Sequence, residues 1–109
     1  MKIAVVGSRS VAAIDAERIG ARAGDTIVTG GARGADALAE AWARAHGIAV
    51  TVHRPDYSRY GRNAPHVRNA AIIADADRVV AFWDGKSRGT ASVIAKARRG
   101  GKQVEIIDG

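Results

Sequence analysis

The sequence predicts an α/β fold, a three-layer sandwich in which a five-stranded parallel sheet lies between two layers of helices. Strand-like and helix-like patterns alternate along the 109 residues, which is typical of a parallel sheet with helices on both faces. The apolar runs 3–6 and 79–82 are nearly continuous, as in strands buried on both faces. With right-handed crossovers we expect strand order 3-2-1-4-5, which reverses between strands 1 and 4.

Apolar runs and the residues that interrupt them locate the five strands. We predict these strands at residues 2–6, 25–29, 48–53, 78–83 and 103–107. Pro55 ends the third strand because proline cannot donate a ladder hydrogen bond. Since the strand order reverses between strands 1 and 4, we expect a crevice at their carboxyl ends.

Apolar residues at helical spacing locate four helices. We predict them at residues 11–22, 35–46, 65–75 and 90–99. Pro65 suits the first turn of the third helix, and the glycine pair 100–101 ends the fourth. The first helix has a thin apolar face, made of Val11, Ile14 and Ile19.

Composition indicates one globular domain, residues 1–109. Apolar residues make up 47% of the chain and charged residues 26%, as in ordinary globular proteins. The absence of cysteine excludes a disulfide framework, a thiolate metal site and a cysteine nucleophile. No apolar run approaches the ~20 residues that span a bilayer, and the amino terminus lacks a signal-peptide pattern. We therefore expect a cytoplasmic protein.

The formal net charge of +6 favours a polyanionic partner. One basic stretch spans residues 54–68 and overlaps a long connection predicted at about 54–64. Its arginines are Arg54, Arg59, Arg62 and Arg68. Tyr57 and Tyr60 are interleaved with these cations, and such a mixture can stack bases and hold phosphates. A solvated loop whose arginine stems lie along the surface explains the same pattern. Both interpretations stay open at this point.

Three predicted strands each run into a glycine-containing loop with one arginine. These loops are Gly7–Ser10, Gly30–Gly34 and Asp84–Thr90, and each precedes a predicted helix. Glycine lets backbone N–H groups approach a ligand, and a helix N-terminus adds free donors and partial positive charge. Arginine adds a planar fork that matches phosphate oxygens. The three loops therefore predict a site for a phosphorylated, nucleotide-like ligand at one edge of the sheet.

The candidate ligand-binding residues come from these loops and from the start of the third helix. They are Gly7, Ser8, Arg9, Gly30, Gly31, Arg33, Gly34, Asp36, Arg68, Asn69, Asp84, Ser87, Arg88, Gly89 and Thr90. For Asp36, capping of the second helix is favoured over catalysis. The three histidines lack metal-ligand spacing, so neither a metal nor a cofactor is expected. No residue is assigned a catalytic role.

Four of these motifs together resemble a known family. Gly7-Ser8-Arg9, the segment 30–36, Arg68-Asn69 and the segment 82–90 are similar to the small bacterial and phage YspA-type members of the SLOG superfamily. The resemblance implies a Rossmann-like fold that binds nucleotides or nucleotide-derived ligands. The superfamily includes the lonely-guy phosphoribohydrolases and the DNA-processing proteins of natural transformation. For the YspA-type branch, the resemblance implies ligand binding without an established reaction.

One departure from the lonely-guy pattern bears on catalysis. In those enzymes an early-helix arginine and a glutamate after a Gly-Thr loop serve glycosidic cleavage. Arg68 lies at the arginine position and Gly89-Thr90 match the loop, but Val93 occupies the glutamate position. Valine offers neither an acid nor a base. The acids that could substitute are Asp84, Asp36 and Glu40.

The function we predict is binding of a nucleotide or nucleotide-derived phosphorylated ligand at the carboxyl edge of the sheet, in a sensor module. One alternative is a hydrolase that cleaves an N-glycosidic or phosphate bond of such a ligand. A second alternative is a DNA-binding protein, suggested by the net charge and the arginines of 54–68. The predicted partners are a nucleotide-like small molecule or a nucleic acid, not a membrane. By analogy with related folds, a homo-oligomer is a further expectation.

Overall fold

A computed structural model describes residues 1–108 and contains a five-stranded, wholly parallel sheet. Its strands are β1 (Lys2–Gly7), β2 (Thr26–Thr29), β3 (Ala49–Val52), β4 (Arg78–Trp83) and β5 (Gln103–Asp108). The spatial order is β3-β2-β1-β4-β5, which confirms the predicted order 3-2-1-4-5. The α/β, Rossmann-like fold class is therefore confirmed.

Helices cover both faces of the sheet. They are α1 (Ala35–Ala45), α2 (Tyr57–Tyr60), α3 (Ala64–Asp75) and α4 (Arg88–Arg99). In the part of the chain that the structure describes, no helix is both long enough and apolar enough to cross a bilayer.

Alternate residues of the central strands supply two separate cores. Ile3, Val5 and Phe82 pack on the side of α1, whereas Ala4 and Val6 pack on the side of α3 and α4. All five are nearly or fully inaccessible to solvent. Burial of both faces explains why these strands are continuous apolar runs in the sequence.

The helix predicted at 11–22 is wrong. This segment forms only a short 3-10 turn, Ala16–Ile19, between extended Asp15 and left-handed Gly20 at φ 70°. Val11, Ile14 and Ile19 are at helical spacing, but they are the only large apolar residues in these twelve positions and alanines fill the rest of that face, so it offers little apolar surface to pack. Because most helical stability comes from packing one continuous apolar face, the segment instead buries Val11 and Ile19 through an irregular path.

The connection predicted as a long loop at about 54–64 is also more ordered than expected. It contains α2 followed by a 3-10 turn, Gly61–Asn63. Asp56 caps α2, because its side chain accepts a hydrogen bond from the Arg59 amide at 3.2 Å and another from Ser58 Oγ at 2.7 Å. The only acid of the basic stretch is thus committed to a helix N-terminus.

Candidate functional site

A cleft of about 470 Å³ opens at the carboxyl ends of β1 and β4, where the strand order reverses. The loop after β1, the first half of α3 and the start of α4 form its walls. Ten of the predicted ligand-binding residues line it: Gly7, Ser8, Arg9, Asp36, Arg68, Asn69, Asp84, Ser87, Gly89 and Thr90. The crevice expected from the topology therefore exists.

Five predicted residues are not among those lining the cleft: Gly30, Gly31, Arg33, Gly34 and Arg88. The side chains of Arg33 and Arg88 are exposed to solvent. The cations that the structure places in the cleft wall are Arg9 and Arg68. A strand-loop-helix pattern predicts which edge a loop occupies, but it does not predict which way a loop side chain points.

Two glycines outside the cleft serve the packing of the protein itself. A Cβ on Gly30 would lie 2.6 Å from Arg68 Nη1. Gly34 has φ +81°, and a Cβ there would collide with the backbone of Ser8 and Arg9. Gly34 requires glycine because of its φ and the backbone packed against it, and Gly30 leaves room for the Arg68 side chain, so neither glycine by itself indicates a ligand.

Asp84 organises the loop between β4 and α4. Its Oδ1 accepts hydrogen bonds from the amides of Ser87 at 2.7 Å and Lys86 at 2.8 Å, and its Oδ2 accepts one from Ser10 Oγ at 2.9 Å. The backbone hydrogen bonds from Ser87 and Lys86, then the one from Ser10, lower the pKa of Asp84 to about 2. Its carboxylate is ionised and fully engaged within the protein.

The same loop fixes the start of α4. Ser87 is the N-cap, and its Oγ accepts a hydrogen bond from the Thr90 amide at 3.3 Å. Trp83 Nε1 donates to the Ser87 carbonyl oxygen at 3.0 Å, which ties the loop to the end of β4. Nothing lies within 4 Å of the point where a Cβ on Gly89 would be, so the first turn of α4 is open toward the cleft.

Asp36 holds the loop between β2 and α1. Its Oδ2 accepts hydrogen bonds from the amides of Gly30 at 3.0 Å and Ala32 at 3.4 Å. The prediction that Asp36 caps the second helix is wrong, because these amides belong to the preceding loop and the N-cap of α1 is Gly34. Asp36 does not cap α1 because the preceding loop folds back over its carboxylate before the helix begins.

The environment of Asp36 is buried and polar. The residue is 6% exposed, and burial raises the pKa of its carboxyl group to about 6. The amide hydrogen bonds and the charges of Arg68 and Arg9 act in the opposite direction but do not cancel the desolvation. Within residues 1–108, Asp36 Oδ1 has no hydrogen-bond partner.

Arg68 is held in place by two contacts. Its Nη1 donates to the Gly30 carbonyl oxygen at 2.7 Å, and its Nε donates to Asn69 Oδ1 at 2.8 Å. No acidic side chain among residues 1–108 forms a salt bridge with Arg68 or Arg9. Both positive charges are therefore available to an anion in the cleft.

The cleft also has an apolar wall, which the sequence motifs did not identify. Val6, Ile72 and Val93 form this wall. Ile72 lies four residues after Arg68, and Val93 four residues after Gly89, so helical periodicity from the predicted residues would have found both. Val93, at the position of the lonely-guy glutamate, is 4% exposed.

Comparison with known proteins identifies the family of the chain. The model of the YspA, cpYpsA-related SLOG family matches residues 1–60. The chain belongs to this SLOG family. The matched part runs from β1 through α2 and includes the first two glycine loops, whereas α3 and α4 lie beyond it. Membership suggests nucleotide-related ligand binding or DNA processing.

A phage protein is similar to this SLOG chain over most of its length. The Gene 61 protein of Mycobacterium phage D29 is 40% identical over 84 residues, which cover 72% of this chain and 67% of the phage protein. No solved structure matches the chain.

Proposed function

We propose that the cleft binds a nucleotide or nucleotide-derived phosphorylated ligand, and that the protein acts as a sensor of that ligand. The observation that carries this proposal is the convergence of an open helix N-terminus, two unpaired arginines and an apolar wall on one cleft, within the residues that the structure describes. Membership in the SLOG family supports the same class of ligand.

The phosphate would lie at the start of α4. A helix of 12 residues presents free amide donors and a partial positive charge at its first turn. Gly89 leaves room for close approach. The hydroxyl groups of Ser87 and Thr90 lie beside it and hydrogen-bond to each other at 3.1 Å, so one of the two O–H groups is left to donate to the ligand. Arg9 and Arg68 add two positive charges, and neither side chain forms a salt bridge with an acidic residue among residues 1–108.

The base of the ligand would lie against the apolar wall. Val6, Ile72 and Val93 line the cleft with exposed fractions of 5%, 1% and 4%, so a flat, weakly polar ring would contact only their edges. A cleft of about 470 Å³ is within the range of small-molecule sites, roughly 300–1,000 Å³. The combination of this wall with cations favours a nucleotide over a simple inorganic anion.

Calorimetric titration tests the proposal with inorganic phosphate, AMP and ADP-ribose. We expect at least AMP or ADP-ribose to bind, and Arg9→Gln to weaken that binding by about tenfold, since hydrogen bonds to charged groups contribute roughly 1.5–3 kcal/mol. Arg62→Gln removes the same charge from an exposed residue outside the cleft and is the matched control. Absence of heat with all three ligands would overturn the proposal.

The structure favours binding over bond cleavage at this site. Val93 offers no acid or base, and both oxygens of Asp84 accept hydrogen bonds from the protein. A hydrolase would therefore need another group of the cleft, Asp36 or His66, as its acid or base. Release of a free base from AMP by wild-type protein, abolished in Asp36→Asn, would establish the hydrolase alternative instead.

Binding of single-stranded nucleic acid is a second candidate, favoured by the surface of α2. Tyr57 is 58% exposed and Tyr60 38%, and Arg59 Cζ lies 5.2 Å from the centre of the Tyr60 ring. Exposed aromatic rings beside cations can stack bases. We expect binding to an oligothymidylate at low salt that weakens steeply as salt rises, and that Tyr57→Leu reduces. A flat salt response would reject this candidate.

A further inference from the structure

The buried carboxylate of Asp36 is the feature of the cleft that phosphate binding leaves unexplained. A negative charge opposes a phosphate, yet Asp36 lies in the same wall as Arg9 and Arg68. We propose that Asp36 Oδ1 accepts a hydrogen bond from a sugar hydroxyl of the ligand, and that the cleft thereby selects ribosyl phosphates over their deoxy forms. This inference rests on the proposed function and assigns a specificity-determining residue to it.

The geometry of Asp36 divides its two oxygens between two tasks. Oδ2 holds the loop through the amides of Gly30 and Ala32. Oδ1 has no partner among the described residues, although the side chain is 6% exposed and lines the cleft. Among the described residues, the fully buried side-chain oxygens without a partner do not include Asp36 Oδ1, so this atom is accessible from the cleft, and a hydroxyl group of the ligand would replace water as its donor.

The position of Asp36 favours a hydroxyl group as that donor. An ionised carboxylate only accepts hydrogen bonds, so it repels phosphate oxygens and attracts O–H groups. Asp36 Oδ2 accepts from the Gly30 amide and Arg68 Nη1 donates to the Gly30 carbonyl oxygen, so the carboxylate lies close to one of the proposed phosphate ligands. In a nucleotide the sugar adjoins the phosphate, whereas the base lies farther away and would reach the wall of Val6 and Ile72.

A metal ion is a poorer explanation for the free oxygen. Hard cations take several oxygen ligands. Among residues 1–108 there is no group of three histidine, cysteine or acidic side chains arranged to hold a metal. A single oxygen suits one hydrogen bond from an organic ligand.

The test compares AMP, 2′-deoxy-AMP, 3′-deoxy-AMP and inorganic phosphate by calorimetry at pH 7.5. We expect at least one deoxy analogue to bind wild-type protein about tenfold more weakly than AMP, because the analogue lacks one hydrogen bond to a charged group. In Asp36→Asn and Asp36→Ala the difference should fall to about threefold or less, since a neutral contact is weaker than a charged one. Inorganic phosphate should bind both variants at least as tightly as wild type, because a like charge is removed.

Glu40→Gln is the matched control. It neutralises an acid one turn further along α1 whose side chain pairs with Arg44 and does not line the cleft. The discrimination between AMP and its deoxy analogues should persist in this variant. Asp36→Asn keeps an oxygen for the two loop amides, so it serves as the test if Asp36→Ala fails to fold.

The outcomes separate this inference from the proposed function. If AMP and both deoxy analogues bind wild-type protein equally, the sugar-hydroxyl role is overturned and nucleotide binding stands. If Asp36→Asn retains the wild-type preference, or Glu40→Gln loses it, the role is likewise overturned. If none of the four compounds binds, the proposed function fails and this inference fails with it.

Discussion

The β2–α1 and β4–α4 loops, each taken with the first two residues of the helix that follows, both contain glycine and arginine and both bring an aspartate to the same cleft. Their aspartates nevertheless differ in chemical state. Asp84 accepts three hydrogen bonds within 3.0 Å and has a pKa lowered to about 2. Asp36 is buried, accepts two hydrogen bonds through one oxygen and has a pKa raised to about 6. One carboxylate stabilises the structure and the other costs stability.

The glycines of the two loops also differ, because the fold requires one of them and does not require the other. Gly34 of the β2–α1 loop is required by its positive φ and by the nearby backbone of Ser8. Gly89, at the start of α4, does not have a positive φ, and a Cβ added to it would meet no atom within 4 Å. Thus one loop uses glycine for packing, and the other has a glycine that packing does not explain. Residues that the fold does not require are the better candidates for ligand contact.

The largest effect should come from Gly34→Ala. We expect it to lower the free energy of unfolding by about 3 kcal/mol, since a side chain at φ +81° is strained and a Cβ meets the backbone of Ser8 and Arg9. Urea denaturation measures the change. Gly47 also has a positive φ of +69°, but a Cβ added there would meet no atom within 4 Å. Gly47→Ala therefore measures the backbone strain without the collision. Equal losses in the two variants would show that loop packing is not what requires Gly34.

Asp36→Asn should stabilise the protein at neutral pH. The folded-state pKa of about 6 exceeds the unfolded value of 3.8, so the folded state binds the proton more tightly and wild-type stability falls as pH rises from about 4 to 6. The full cost is present above pH 6, and a shift of roughly two pKa units corresponds to about 3 kcal/mol. Asparagine removes this cost, but its neutral amide oxygen accepts the two loop hydrogen bonds less strongly than a carboxylate does. We therefore expect Asp36→Asn to raise the free energy of unfolding by about 2 kcal/mol at pH 8 and to change it little at pH 4, as measured by urea denaturation.

Asp84→Asn should have the opposite effect and destabilise the protein at neutral pH. The folded-state pKa of Asp84 lies below the unfolded value of 3.8, so its contribution to stability is present above that value and is lost as pH falls through about 2. The variant should therefore unfold at a lower temperature than wild type at pH 7 and approach wild type in acid. If Asp36→Asn and Asp84→Asn shift the unfolding midpoint in the same direction at pH 8, the two carboxylates do not have opposite effects on stability.

The smallest effect on stability should come from Gly89→Ala. Alanine is favoured over glycine inside a helix, so we expect a gain of about 0.5–1 kcal/mol in the free energy of unfolding. The methyl group would occupy space in the cleft, so binding of AMP should weaken in the same variant. Thermal unfolding and calorimetric titration give the two readouts. A variant that is more stable and binds AMP as well as wild type would remove Gly89 from the phosphate site.

Local patterns in the sequence predicted much of the fold and the edge of the sheet that carries the cleft. The continuous apolar runs of β1 and β4 identified buried parallel strands, and Pro65 marked the start of α3 within one residue. The helix predicted at 11–22 shows where such patterns mislead. Its apolar face was thin, and the structure buries Val11 and Ile19 without forming an α-helix. Helical periodicity was a weak signal there because alanines filled the gaps.

By itself, the sequence determined the α/β class, the strand order, the family resemblance and the three loops at one edge, because hydrophobic periodicity and turn residues act over a few positions. Only the tertiary structure decided that Arg9 and Arg68 line the cleft while Arg33 and Arg88 do not, and that Asp36 and Asp84 have opposite pKa shifts. The physical reason is that burial and hydrogen-bond partners depend on residues distant in the chain. Arg68 is held by the carbonyl group of Gly30, 38 positions away, and no local pattern encodes that contact.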